Sequence, residues 1–208
     1  MRGFILSSLF LLSCVSFGQN FEGVLTYKID MPEMMLRSIP PQLVDSVKST
    51  KKIIKDDLIR TETFTAMGKQ VMLEKIGSDT TYLLMHLMGK DIAIEIVGTD
   101  KPESKKDSLV EKGKGSKMFG FKTETAKYTK FGSTYEIIYT KQLDVNYGNS
   151  FKSLGGVALQ FPIIMSEFEI LIYTCTGIEK KEISNELFKI PSNYEVLTME
   201  EFGKMIGG

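Results

Sequence analysis

Few residues in this 208-residue chain could do chemistry. His86 is its only histidine, so any Ser-His-Asp or Cys-His relay would have to pass through it. It stands in the apolar run Leu83-Leu84-Met85-His86-Leu87-Met88, where a hydrogen-bonded strand histidine is expected rather than a general base. A zinc site built on His86 and Cys175 would need two carboxylates as well, and no metal-like spacing supplies them. Glu167 and Glu169 lie two apart, on one face of a strand, and read as solvated surface. No glycine loop of phosphate-binding spacing is present. The expectation is a protein that is not an enzyme, with no catalytic residue, metal ligand or cofactor. Methionine is the unusual component, at twelve residues. Met31, Met34 and Met35 cluster, and Met85 and Met88 flank His86. Thioether and imidazole groups suit Cu(I), but methionine is first of all a flexible filler of irregular apolar cavities and adaptable binding surfaces. A pliable lining of that kind suits acyl chains of variable shape.

The elements that must position these residues are strands. Phe21, Leu25, Tyr27, Ile29 and Met31 alternate with Glu22, Thr26, Lys28 and Asp30, the period of a strand with one buried face. The alternation recurs in Ile92, Ile94 and Ile96, in Tyr135, Ile137 and Tyr139, and in Phe168, Ile170 and Ile172. Turn signals at Asp56-Asp57, Gly68-Lys69, Gly77-Ser78-Asp79 and Gly89-Lys90 cut Lys51 to Val97 into an antiparallel meander. Tyr82 to Met88 is apolar on both faces, which predicts a strand covered on both sides by helices or by a bound apolar molecule. For the second case the candidate lining is Leu84, Met85, Met88, Ile94 and Ile170. Pro32, Pro40 and Pro41 exclude a central strand from Met31 to Thr50, and Leu43, Val44 and Val47 suit a short helix lying over the sheet. Gly98 to Lys117, rich in Lys, Ser, Gly and Glu, reads as a mobile loop between two sheet halves. Thr198 and Glu201 fit a capping box, with Met199, Phe202 and Ile206 on one face of a terminal helix.

The first residues carry an address rather than a fold. One charge at Arg2, the apolar run Phe4 to Leu12 and the small residues Ser16 and Gly18 form the three regions of a secretory signal. That run is too short to span a bilayer, which takes about 20 apolar residues. Cleavage after Gly18 predicts a signal peptide at 1-18 and a single domain at 19-208. The competing reading takes Leu11-Leu12-Ser13-Cys14 as a lipobox, with Cys14 lipidated and the protein anchored at the outer membrane. Removing residues 1-18 removes Arg2 and no acid, taking the net charge from +0 to −1; nothing in that balance points to nucleic acid. Cys175 is then the sole mature cysteine, which excludes an internal disulfide, and a half-buried strand thiol is expected. No second apolar stretch reaches the length of a transmembrane helix.

With these elements placed, the chain resembles exported bacterial proteins of the domain-of-unknown-function 4412 group, which are similar to the lipoprotein carriers LolA and LolB. The likeness rests on Phe21-Glu22-Gly23-Val24-Leu25-Thr26-Tyr27, on Ile54-Lys55-Asp56-Asp57-Leu58-Ile59-Arg60 and on Thr134-Tyr135-Glu136-Ile137-Ile138-Tyr139-Thr140. The closing Leu187-Phe188-Lys189-Ile190-Pro191-Ser192-Asn193-Tyr194 extends it. A second likeness is to exported proteins named for a GLPGLI motif, through Tyr147-Gly148-Asn149-Ser150-Phe151 and Leu154-Gly155-Gly156-Val157-Ala158-Leu159, with Gly155 in place of the motif's proline. Gly155-Gly156 would permit a bend or a close backbone approach. The resemblance implies a mainly β (α+β) fold: a curved antiparallel sheet or half-barrel, with a few short helices on the concave face. It implies a periplasmic or secreted envelope protein whose partner is a lipid or a lipoprotein acyl chain. The alternative is an interaction module that binds an envelope protein and fills its hollow with its own helices.

Overall fold

A computed structural model describes residues 21-98, 108-148 and 150-207. The expected export signal and the part of the expected loop from 99 to 107 lie outside the described residues. The fold is mainly β, a large, curved, unclosed sheet with few short helices. The chain first runs outward through β1 (Gly23–Asp30), β2 (Ser49–Lys55), β3 (Leu58–Thr65), β4 (Gly68–Lys75), β5 (Thr80–Leu87) and β6 (Lys90–Val97). It then begins again at the far edge with β7 (Ser108–Lys114). From there it returns through β8 (Glu124–Lys130), β9 (Ser133–Thr140), β10 (Val157–Ile164) and β11 (Ile170–Lys180), which pairs antiparallel with β1. A short β12 (Glu195–Thr198) adds to the β6 edge in parallel, completing the order β12-β6-β5-β4-β3-β2-β1-β11-β10-β9-β8-β7.

This connectivity requires curvature. In a flat sheet about ten inter-strand steps of about 4.8 Å would separate β6 from β7 by about 48 Å. The chain between Val97 and Ser108 reaches about 40 Å at most, so the edges must curl toward each other. Two glycines let backbones meet inside that curl. A Cβ on Gly23 would be driven into the Glu179 carbonyl across the β1–β11 pair, and one on Gly156 into the Thr140 carbonyl. Gly155 beside it takes a left-handed φ of +67°, so the expected bend and close approach are divided between the two residues.

The meander, the turns at Asp56-Asp57 and Gly77-Ser78-Asp79 and the capping box stand where the sequence placed them, while the other two hairpins turn one or two residues earlier, at Ala66-Met67 and Met88-Gly89. Thr198 N–H and Oγ1 both donate to Glu201 Oε2 at 2.8 Å. That cap opens helix α3 (Met199–Gly207), whose Phe202 and Met205 pack on Met85, Ile92 and Ile94, while Met199 and Ile206 are exposed. Ile190 and Tyr194 pack on Val71, Leu73, Leu84 and Ala93, the opposite face of the same strands. The doubly apolar strand β5 is therefore covered on both sides by the chain's own C-terminal segment. Between Met31 and Lys48 the expected short helix forms as a 3-10 turn, Pro41–Leu43, continued by α2 (Val44–Val47), and a further turn, α1 (Glu33–Leu36), precedes it.

Two expectations are corrected. The predicted loop contains β7, because Leu109 pairs with Tyr128 and Val110 with Lys127 at a sheet edge that tolerates charged residues. In β11 the buried set is Leu171 and Cys175, not Ile170 and Ile172, since both alternating sets are apolar and periodicity alone cannot choose between them. Phe168 lies outside the strand and is exposed. Gly156→Ala is expected to cost about 3 kcal/mol or more, through displaced backbone. Gly155→Ala, which meets no atom within 4 Å, should lose only about 1–2 kcal/mol from the left-handed φ. Urea unfolding of the two variants measures the difference.

Candidate functional site

The inner face of the sheet is the one that carries Leu25, Tyr27 and Ile29 from β1. Across the β1–β2 register it continues into Lys52 and Thr50, opposite Leu25 and Tyr27, and across β2–β3 into Thr61 and Thr63. On the other flank, Tyr173 lies opposite Ile29, and Phe161 opposite Tyr173. Between these walls is a hollow of about 260 Å³, bordered also by Gly148 and Ser150 of the β9–β10 connection.

One part of this hollow is aromatic. Phe161 stacks on Tyr173 with ring centroids 5.1 Å apart and planes at 16°, and Tyr27 meets Phe161 edge-on at 6.0 Å. Burial raises the phenol pKa of both tyrosines, holding them neutral. The polar part centres on Lys52, 9% exposed, whose Nζ donates to the Tyr147 carbonyl at 2.7 Å. Burial pulls its pKa down to about 8, against the smaller opposing pull of Glu74. Two hydroxyls here are already used: Tyr27 donates to the Ala158 carbonyl at 3.1 Å and Thr50 to the Glu62 carbonyl at 2.9 Å. The Thr61 hydroxyl, directly across the register from Lys52, is buried without a hydrogen-bond partner. Such a group costs about 1–3 kcal/mol, so a ligand oxygen accepting from it would recover a real penalty.

A second hollow of about 470 Å³ adjoins the first, with Thr63 and Tyr173 in both walls. Its floor is Ile29 and Leu171, and the segment after β1 covers it with Met31, Met34, Met35, Ile39 and Val47. The methionine cluster thus lines a cavity, where unbranched thioether chains adapt to irregular space.

The residues expected to line an apolar site lie elsewhere. Met85 and Ile94 are buried beneath α3, and Leu84 lies under Ile190 and Tyr194 on the opposite face. Met88 is exposed in the β5–β6 turn, and Ile170 begins β11 in the alternate set to Leu171. None of the five borders either hollow, because the C-terminal segment already occupies the space over β5 and β6. The residues that do form the site, Lys52 and Thr61 above all, left only an ambiguous signal. In Lys51-Lys52-Ile53-Ile54 either lysine could face inward, and the pairing of Leu25 with Lys52 decides it.

Other candidate groups stay apart from the hollows. His86 is exposed, its Nδ1 2.8 Å from Asp91 Oδ1, while Asn193 Nδ2 donates to Asp91 Oδ2 at 2.7 Å. It is a hydrogen-bonded strand histidine, and it points away from buried Met85. Cys175 is more buried than expected; burial pushes its thiol pKa up to about 11, far from the reactive thiolate range. Among the described residues no cluster of three His, Cys, Asp or Glu could hold a metal ion, and no helix is long and apolar enough to cross a membrane.

Fold and site together define a half-open β-sheet domain with an apolar hollow and one buried cationic group. No protein-family model and no curated protein matches the chain. Among solved structures it is similar to one described as PNGF-II in a C2 space group, at 12% identity and a TM-score of 0.43, over 90% of this chain. The match spans about a third, 33%, of that longer protein.

Lys52 yields a stability prediction with a definite sign. Its folded pKa, about 8, lies below the unfolded value near about 10.4. Between those values the unfolded chain binds more protons, so stability rises with pH across that window and the charge is a burden below it. Lys52→Met should match or exceed the wild type in urea unfolding at neutral pH. It should also lose the wild type's gain in midpoint between about pH 7.5 and about pH 9.5.

Proposed function

We propose that this is an exported binding protein of the bacterial envelope, without enzymatic activity, that takes an acyl chain headed by an acidic group. The observation that carries the reading is the charge of Lys52 beside the unsatisfied Thr61 hydroxyl, in a hollow whose opposite wall is Phe161, Ile163 and Tyr173 and whose border also includes Thr50, Thr63 and Ser150. An acid oxygen would accept from Thr61 and meet the Lys52 charge. The hydrocarbon would run past Tyr173 toward Met34 and Met35, removing its apolar surface from water. The second hollow, at about 470 Å³, is in the range of ligand cavities, and the adjoining first hollow, at about 260 Å³, falls just below that range. The signal-like amino terminus and the resemblance to the Lol carriers support the compartment, periplasmic or secreted, and the ligand class.

The competing reading, a self-filled module that docks an envelope protein, draws on α3 and on Tyr147 and Leu154, which fill other parts of the sheet's surface. Fatty-acid titration separates the two. The mature protein is expected to displace a fluorescent fatty-acid probe, with affinity falling as pH rises through about 8, where Lys52 loses its charge. Lys52→Met should weaken binding about tenfold or more and abolish that pH dependence. Thr63→Trp, in the wall common to both hollows, should block entry of the chain. No binding by the wild type, and no lipid released from the purified protein by solvent extraction and mass spectrometry, would leave the self-filled module. Mass analysis of the mature terminus should find a start near Gln19; a lipid-modified Cys14 would instead make the protein a tethered one.

A further inference from the structure

Adjacent strands run in opposite directions, so their connections fall at two ends of the sheet. At one end lie the β1–β2, β3–β4, β5–β6, β8–β9 and β10–β11 connections. Each displays an exposed methionine or phenylalanine: Met34, Met67, Met88 and Phe131 in turn, then Met165 with Phe168. At the other end the turns Asp56-Asp57 and Gly77-Ser78-Asp79 are polar, while the β7–β8 connection exposes Phe119. Two of the apolar tips stand against local preference. Met88 and Phe131 adopt φ of +53° and +50°, each just before a glycine of positive φ, a place where Asn, Asp or Gly is favoured. Phe119, at the opposite end, shares this geometry with φ of +50° before Gly120, so the gathering of apolar tips at one end, rather than the strain, calls for a functional account. Lysines flank the tips: Lys69, Lys90 and Lys130 stand within two residues of Met67, Met88 and Phe131. Lys69 and Lys90 also pair with Glu62 and Glu195.

We infer that this end of the sheet seats on a lipid surface, with the methionine and phenylalanine tips entering the acyl boundary and the lysines lying among the phosphates. Apolar side chains on separate tips, those of Met67, Met88 and Phe131 each beside a lysine and those of Met34 and Phe168 beside Glu33, Glu167 and Glu169, are dispersed in the way that suits a bilayer interface. They do not form the continuous packed centre that a protein interface needs. The rim also leads into the second hollow, which Met34, Ala66 and Glu169 border at the same end. A chain leaving a membrane here would enter the cavity without crossing open water. The inference goes beyond ligand binding, because it assigns a docking surface that can be present or absent whatever the hollow holds.

The chain contains no tryptophan, so a single one introduced by substitution reports its own surroundings. Met88→Trp and Phe168→Trp, in the full mature protein, are to be mixed with vesicles of phosphatidylcholine and phosphatidylglycerol containing brominated acyl chains. Both should shift to the blue and be quenched. Phe119→Trp, in the exposed turn at the opposite end, should be neither. The double variant Met88→Ser/Phe168→Ser should lower vesicle partitioning about tenfold or more, with fatty-acid binding by the hollow unchanged. Absence of quenching at both rim positions, or equal quenching at Phe119→Trp, overturns the inference. Fatty-acid titration in the absence of vesicles judges the ligand reading separately.

Discussion

Everything in this fold depends on the antiparallel join between β1 and β11. One meander runs outward from β1 and the other returns to β11, so the ladder from Gly23–Lys180 to Asp30–Ile172 is what makes them one sheet. The hollow straddles that seam, with Lys52, Thr61 and Thr63 on one flank and Phe161, Ile163 and Tyr173 on the other. The register shift between Thr26 and Tyr27 brings Cys175 opposite Tyr27 and Tyr173 opposite Ile29, which places the aromatic stack at the edge shared by both hollows. Gly23, where a side chain would strike the Glu179 backbone, guards the same seam.

Curvature follows from connectivity, and curvature creates volume that must be filled. The chain fills most of it. The tail covers both faces of β5 and β6, Tyr147 packs among Phe21, Leu25, Ile54 and Leu159, and Leu154 packs against Ile137, Tyr139 and Ala158. Apart from a cleft of about 430 Å³ bordered by Leu58, Leu73 and Phe188, what stays open lies between these packed regions and the methionine-lined cover after β1. The open part also carries a buried ammonium and an unsatisfied hydroxyl, while a second unsatisfied group, Glu74 Oε2, borders the separate cleft. Stability alone would favour an apolar pair at such positions, so their presence beside an open volume is the strongest physical argument for a ligand.

Much of the fold was legible because strand periodicity and turn chemistry are local. Leu25, Tyr27 and Ile29, the turns at Asp56-Asp57 and Gly77-Ser78-Asp79, and the Thr198–Glu201 cap all depend on neighbours a few residues away. The candidate site was not legible, because its parts come from β2, β3, β10 and β11 and meet only through long-range register. Leu84, Met85 and Ile94 carry the apolar character of a lining, yet the tail reaches them first. Ile170 misled for a different reason: β11 is apolar on both alternating sets.

The sequence by itself determined the β1 strand, the meander from β2 to β6, the approximate position of its turns and the terminal helix, since these follow from side-chain alternation and backbone chemistry within short windows. Its amino-terminal pattern likewise carries the expectation of export. Only the tertiary structure decided which of two adjacent lysines is buried and which alternating set of β11 faces inward. It alone gathered the exposed Met and Phe tips at one end. Those outcomes are set by strand register and direction, and a one-residue change in register exchanges the two faces of a strand.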